Sequence, residues 1–203
     1  QNASTVGAID LGLVQSEKQN NFLFFDNLEN NKFKILYLLG SDNLEIKKYN
    51  EFVIYQGSHG DRGAEIADVI LPSPAYTEQN ALYSNLEGRI QEARKASYPT
   101  GNALEDWKIF NLINKKLTNE NLFQSKNFLR TEALKFIPKF SQINELPLKE
   151  FNKSVEEKLE FYKEKIKINK IDYYFTNSIS RSSKVMSECR KIQLNQIKDG
   201  TNN

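Results

Sequence analysis

Few residues in this sequence have types that could do chemistry. There is one histidine, His59, and one cysteine, Cys189. A single thiol makes no internal disulfide, and it falls short of the roughly four cysteines that hold an iron–sulfur cluster. One imidazole likewise gives no histidine-rich metal set. His59 and Asp61 lie two residues apart and could pair in proton transfer. No nucleophile or second base accompanies them, and a histidine bonded to neighbouring backbone fits the same residues. Gly57, Gly60 and Gly63 surround that pair. Spaced glycines after a strand let backbone approach a ligand phosphate, although this is not the dinucleotide spacing. The same glycines would equally serve a tight connection that needs positive φ. Glu87 and Arg89 flank Gly88, and opposite charges there could pin a turn as an ion pair. Nothing in this inventory amounts to a catalytic constellation, so no catalytic, cofactor-binding or metal-ligating residue is assigned.

The elements that must position these residues follow from hydrophobic patterning. Lys34–Leu39, Phe52–Tyr55 and Ala67–Leu71 are apolar runs closed by Gly40, Gly57 and Pro72. Runs apolar throughout predict strands covered on both faces, hence a parallel sheet in an α/β fold. Ser4–Leu13 leads into a short helix, and Asn20–Lys32 reads as helix or loop. Asn102 with Glu105 three residues on resembles a capping box. It would open a helix with Leu104, Trp107, Phe110, Ile113 and Leu117 on one face. A second amphipathic helix is expected over Leu148–Ile168, from Phe151, Val155, Leu159, Tyr162 and Ile166. Its Lys and Glu residues make a solvated face. Ser178–Ser183 is a turn or helix start, and Ser183–Ile197 a final helix. The fold expected is α/β, a partial parallel sheet with flanking helices and then a helical C-terminal tail. Residues 1–147 would form the first part and 148–203 the second.

Composition excludes whole classes. The 203 residues are 39% hydrophobic and 27% charged, and 28 Lys+Arg against 26 Asp+Glu leave a net charge of +2. That balance builds no phosphate-binding surface, so no nucleic-acid partner is expected. No apolar run approaches the ~18 residues that span a bilayer. Lysine outnumbers arginine, and Asn and Ile are abundant, as AT-rich coding DNA would give. The chain begins at Gln1 without a signal-peptide layout in Gln1–Leu13, so translation is expected to start elsewhere.

Three ordered segments carry a family resemblance. The first runs Tyr55-Gln-Gly-Ser-His-Gly-Asp-Arg-Gly-Ala-Glu-Ile-Ala-Asp-Val-Ile-Leu-Pro72, then through Ala75-Tyr-Thr-Glu78 to Tyr83-Ser-Asn-Leu-Glu-Gly-Arg-Ile-Gln91. Glu105-Asp-Trp-Lys-Ile109 follows it. The second is the tail, Asp172-Tyr-Tyr-Phe-Thr-Asn-Ser-Ile-Ser-Arg-Ser-Ser-Lys-Val-Met-Ser-Glu-Cys189, and the third is Ser4-Thr-Val-Gly-Ala-Ile-Asp-Leu-Gly12. Together they resemble the C-terminal part of the largest iron–sulfur subunit of mitochondrial respiratory complex I (NADH:ubiquinone oxidoreductase). That part is similar in turn to the molybdopterin-containing oxidoreductases. The likeness is weakest between Thr118 and Ile171. Leu86 stands where the family usually has Thr, and Arg62 where it often has Val.

The resemblance implies a cofactor-free structural module, with FMN and iron–sulfur clusters held elsewhere in the subunit or complex. Implied partners are a cluster-bearing N-terminal part, on the same or a separate chain, and other matrix-arm subunits. The implied location is the mitochondrial inner membrane, peripheral on the matrix side. The aromatic run Tyr173–Phe175 would then pack a last helix or anchor on a neighbour. The alternative from another class is the back half of a formate dehydrogenase-like molybdoenzyme, in which the Gly57–Gly63 loop still lines a pterin. A free-standing adaptor domain is a third.

Overall fold

The computed structural model describes residues 5–13, 20–41, 43–146 and 172–198. They fall into two compact units, within Gln1–Leu146 and within Pro147–Asn203.

In the first unit, β1 (Ile35–Leu39), β2 (Phe52–Gly57) and β3 (Val69–Pro72) form a parallel sheet in the order β1-β2-β3. The register pairs Leu36 with Val53, and Leu38 with Tyr55. Strand side chains alternate between faces. Leu36, Leu38, Val53 and Tyr55 therefore share one face, and all four are buried. Leu28 from α2 (Asn20–Glu29) and Ile46 complete this core, with Phe24, Phe33, Tyr49 and Ile66 packed around it. Buried Leu36, Leu38 and Val53 each stabilise the fold by ~1.5–3 kcal/mol relative to exposure.

The parallel sheet expected from the apolar runs is present, with ends shifted by one or two residues. Its coverage differs from the expectation. On the second face Ile35, Leu39, Phe52 and Val69 are exposed. Only the part around Tyr37 and Gln56 is covered there, by α4 (Asp106–Thr118). Tyr37 stacks on Phe110 with ring centroids 6.0 Å apart.

The capping box expected at Asn102 does not form. The Leu104 N–H donates to the Pro72 carbonyl at 3.1 Å, which keeps the chain extended along the end of β3. Helix α4 opens only at Asp106, with Glu105 as an N-cap that makes no side-chain capping bond. The expected apolar face is also rotated: Ile109 is the buried residue, while Leu117 is 79% exposed.

Two elements were absent from the sequence reading. One is the antiparallel hairpin of β4 (Ala81–Ser84) and β5 (Ile90–Ala93). The other is α5 (Lys126–Phe136), whose N-cap Ser125 accepts a hydrogen bond from the Phe128 N–H at 3.1 Å. Such a cap is worth ~1 kcal/mol. A 3-10 turn at Pro138–Ser141 follows α5, and a parallel bridge joins Ile90 to Ile143. The short helix expected in the first segment is α1 (Thr5–Asp10). Asp10 ties it down, accepting from Lys139 Nζ at 2.9 Å and Ser84 Oγ at 3.3 Å.

In the second unit, α6 (Ser178–Ser182) opens on a reciprocal capping box between Asn177 and Ser180. Helix α7 (Lys184–Lys198) follows. Arg190 joins it to the preceding segment, donating from Nε to Asp172 at 2.5 Å and lying 4.5 Å over the Phe175 ring. Tyr173 is 71% exposed. The helix expected over Leu148–Ile168 lies outside the described residues.

Candidate functional site

The glycine loop sits where an α/β fold presents ligands, at the C-terminal end of the central strand. After β2 the chain turns through Ser58–Asp61 into α3 (Arg62–Glu65), which Asp61 caps by accepting from the Arg62 N–H at 2.9 Å. Neither positive φ nor an open cradle explains the glycines. None of Gly57, Gly60 and Gly63 lies in the left-handed region, where the glycines are Gly12, Gly40, Gly88 and Gly101.

What Gly57 and Gly63 provide is room for Tyr55. A Cβ on Gly57 would collide with the Tyr55 hydroxyl and ring. One on Gly63 would meet the Ser41 carbonyl at 2.6 Å and Tyr55 Cδ2 at 2.9 Å. Gly60 has nothing within 4 Å. The Tyr55 ring is 1% exposed, and its hydroxyl donates to the His59 carbonyl at 2.7 Å. The loop is thus closed from within by its own strand's side chain.

His59 and Asp61 are accordingly not a proton-transfer pair. The imidazole bonds the Ser58 hydroxyl at 2.9 Å, while the Asp61 carboxylate serves the helix start.

The Asn-x-Glu-Gly-Arg segment is the hairpin loop between β4 and β5. Glu87 and Arg89 form no ion pair among the described residues, contrary to the expectation. Asn85 holds the turn instead, its Oδ1 accepting from the Glu87 and Arg89 N–H groups, both at 3.0 Å. Gly88 has φ +80°, the left-handed conformation such a turn needs. The Arg89 Nε is buried without a hydrogen-bond partner.

A third feature escaped sequence reading: a cleft of about 660 Å³ between the hairpin, α4 and α5. Leu82, Trp107, Phe110, Phe123, Leu134 and Phe140 line it. The period of Leu129, Ala133 and Phe136 behind Ser125 could have revealed α5, and with it one wall. Ion pairs edge the cleft: Arg130 meets Glu92 at 2.8 Å, and Lys126 lies 3.8 Å from Glu105. The Arg130 hydrogen bond, then its charge, holds the Glu92 carboxyl below its ordinary range.

Glu105 also accepts from Trp107 Nε1 at 2.7 Å, and Lys126 donates to the Asn80 carbonyl at 2.6 Å. Behind the cleft, buried Gln56 accepts from the Tyr37 hydroxyl and donates to Asp106 at 2.6 Å. Burial, and then the Asp106 charge, raise the Tyr37 hydroxyl above its ordinary value. These groups are committed to one another, and the lining contains no Ser, Cys or His. The arrangement locks α4 to the sheet and offers no activated nucleophile.

The pterin cofactor implied by the molybdoenzyme resemblance can be tested against this geometry. Its phosphates would need the concave side of the Gly57–Gly63 loop, which the Tyr55 ring fills. The buried donor on Arg89 belongs to the hairpin, and Arg89 is not among the cleft-lining residues. Among the described residues no group of three His, Cys, Asp or Glu side chains could hold a metal ion. The residues present do not fit the group.

Comparison with known proteins agrees with the motifs. Residues 1–116 match the molybdopterin oxidoreductase family, and residues 148–189 match the C-terminal region of the NADH-ubiquinone oxidoreductase G subunit. The NADH-ubiquinone oxidoreductase 75 kDa subunit of Reclinomonas americana is 39% identical over 94% of this chain. The NADH-quinone oxidoreductase G subunit of Rickettsia bellii is 41% identical over 92%. The mitochondrial NADH-ubiquinone oxidoreductase 78 kDa subunit of Candida albicans is 39% identical over 92%. The chain spans only 28%, 26% and 26% of these relatives' own lengths. The chain belongs to the molybdopterin oxidoreductase family, and over nearly its whole length it is a homologue of the large subunit of NADH-quinone oxidoreductases.

Proposed function

We propose that this chain is a structural, cofactor-free module of a respiratory NADH:quinone oxidoreductase. It would support the arm that carries electrons from NADH to quinone, and no redox step would pass through its own residues. The observation that carries the reading is the closure of the Gly57–Gly63 loop by Tyr55, which takes up the space a phosphate would need. The respiratory setting is supported by the relatives' names and by the match of residues 148–189.

In this reading residues 1–147 are the latter part of a molybdopterin oxidoreductase-like domain, and 148–203 a helical region with its tail. FMN and iron–sulfur clusters would reside in the rest of the subunit or complex. The partners would be a cluster-bearing N-terminal part, on the same or another chain, and other subunits of the matrix arm. The location would be the matrix side of the mitochondrial inner membrane. Among the described residues no helix is long and apolar enough to cross a membrane.

Two measurements test this. Metal analysis and absorption spectra of the purified chain are expected to show no stoichiometric iron, molybdenum or flavin. On native gels of membranes gently solubilised from the source organism, the chain is expected to run in a large assembly with NADH dehydrogenase activity. A stoichiometric redox centre, or migration as a free small protein, would overturn the reading.

A further inference from the structure

The second face of the parallel sheet is half bare, and the bare part is apolar. Register puts Ile35 beside Phe52, and Ile54 beside Val69, on this one face. Ile35 is 62% exposed, Phe52 47% and Val69 38%. Helix α4 covers the neighbouring rows through Phe110 on Tyr37 and Asp106 on Gln56, and the bare patch adjoins that cover. Parallel sheets occur almost only with both faces covered, so this face is built to receive more polypeptide. Among the described residues nine hydrophobic side chains are buried against twenty-six large ones exposed, a ratio that also points to a surface meant to be covered.

We propose that the Ile35–Phe52–Val69 face seats the polypeptide corresponding to the part of the relatives that this chain does not span. This rests on the reading of the chain as a module of the respiratory enzyme's large subunit. In the Reclinomonas and Rickettsia bellii relatives the same sequence is 28% and 26% of one longer chain. The remaining polypeptide is therefore held beside this module at high effective concentration there. The occupant presents an apolar, uncharged surface to the patch, because the exposed side chains it meets are Ile, Phe and Val.

The test uses the chain in its native assembly and, separately, the purified 203-residue chain. Hydroxyl-radical footprinting reads oxidation of Phe52 in both, and lysine cross-linking reads what lies near Lys34. Phe52 oxidation is expected to fall at least fivefold in the assembly, with Lys34 linked to a polypeptide similar to the relatives' remaining length. Phe52→Asp is expected to keep the Trp107 emission of the folded chain and to reduce co-purification of that polypeptide at least tenfold.

An unprotected Phe52 beside such a polypeptide would overturn this proposal alone and leave the proposed function standing. So would links to an unrelated protein or to a second copy, or a Phe52→Asp chain that co-purifies normally. An assembly containing no polypeptide like the relatives would overturn both.

Discussion

If Gly63 exists to make room for Tyr55, adding one methyl group there should be costly while the same change at Gly60 should not. In Gly63→Ala the new Cβ would lie 2.6 Å from the Ser41 carbonyl and 2.9 Å from Tyr55 Cδ2. Neither neighbour can give way easily. The carbonyl is backbone just beyond β1, and the Tyr55 ring is 1% exposed and fixed by its bond to His59. Overpacking of this kind costs ~1–3 kcal/mol. The middle of that range is a roughly thirtyfold fall in the folded-to-unfolded ratio.

Gly60→Ala meets nothing within 4 Å and does not require positive φ, so it should change stability by less than about 0.5 kcal/mol. Trp107 is the single tryptophan and lies in the same unit, so its fluorescence during urea unfolding reports the change. Tyr55→Val should relieve most of the strain of Gly57→Ala, giving a double-mutant coupling above ~0.5 kcal/mol. Equal destabilisation at Gly60 and Gly63, or additive effects of Tyr55→Val and Gly57→Ala, would refute the idea that Tyr55 closes the loop.

Three further outcomes are expected. Asn85→Ala removes the acceptor for two turn N–H groups and should cost ~1–2 kcal/mol in thermal unfolding, whereas Glu87→Ala should be nearly silent; the reverse order would restore an ion-pair turn. Gln56→Leu strands the Tyr37 hydroxyl and Asp106 and should cost ~1–3 kcal/mol; in the intact network Asp106→Asn should lower the Tyr37 titration seen in ultraviolet absorbance, and an unmoved Tyr37 would exclude the Asp106 charge as a cause. The Asp68 carboxyl is held below its ordinary range first by its hydrogen bond from Lys48 and then by that from the Val53 N–H. Because its folded pKa is depressed, the stability it contributes is present above the ordinary carboxylate pKa and lost as pH falls through the lowered one. Asp68→Asn should flatten that acid limb in urea midpoints measured against pH, and an unchanged limb would contradict the assignment.

The second unit follows from its sequence. Asn177 and Ser180 stand three apart and meet in a reciprocal cap, so a local pattern foretells the start of α6. The strands were legible for a similar reason. A continuous apolar run closed by Gly or Pro predicts a parallel strand, and three such runs pair in chain order.

Hairpin β4–β5 was hidden because Ala81–Ser84 and Ile90–Ala93 are short and weakly alternating. Only the Asn85 turn and Gly88 reveal it, and a turn shows its nature through hydrogen bonds rather than composition. The capping box at Asn102 failed for a nonlocal reason, since the Pro72 carbonyl claims the Leu104 N–H across the fold.

By itself the sequence determined the parallel α/β character, the family motifs, and the shortage of ligands that one Cys and one His impose. Only the tertiary structure decided what the glycine triplet is for. Glycine spacing states that side chains are absent, whereas what fills the vacated space depends on which ring is folded against it. Here that ring is Tyr55, and a loop that could have cradled a phosphate is packed shut.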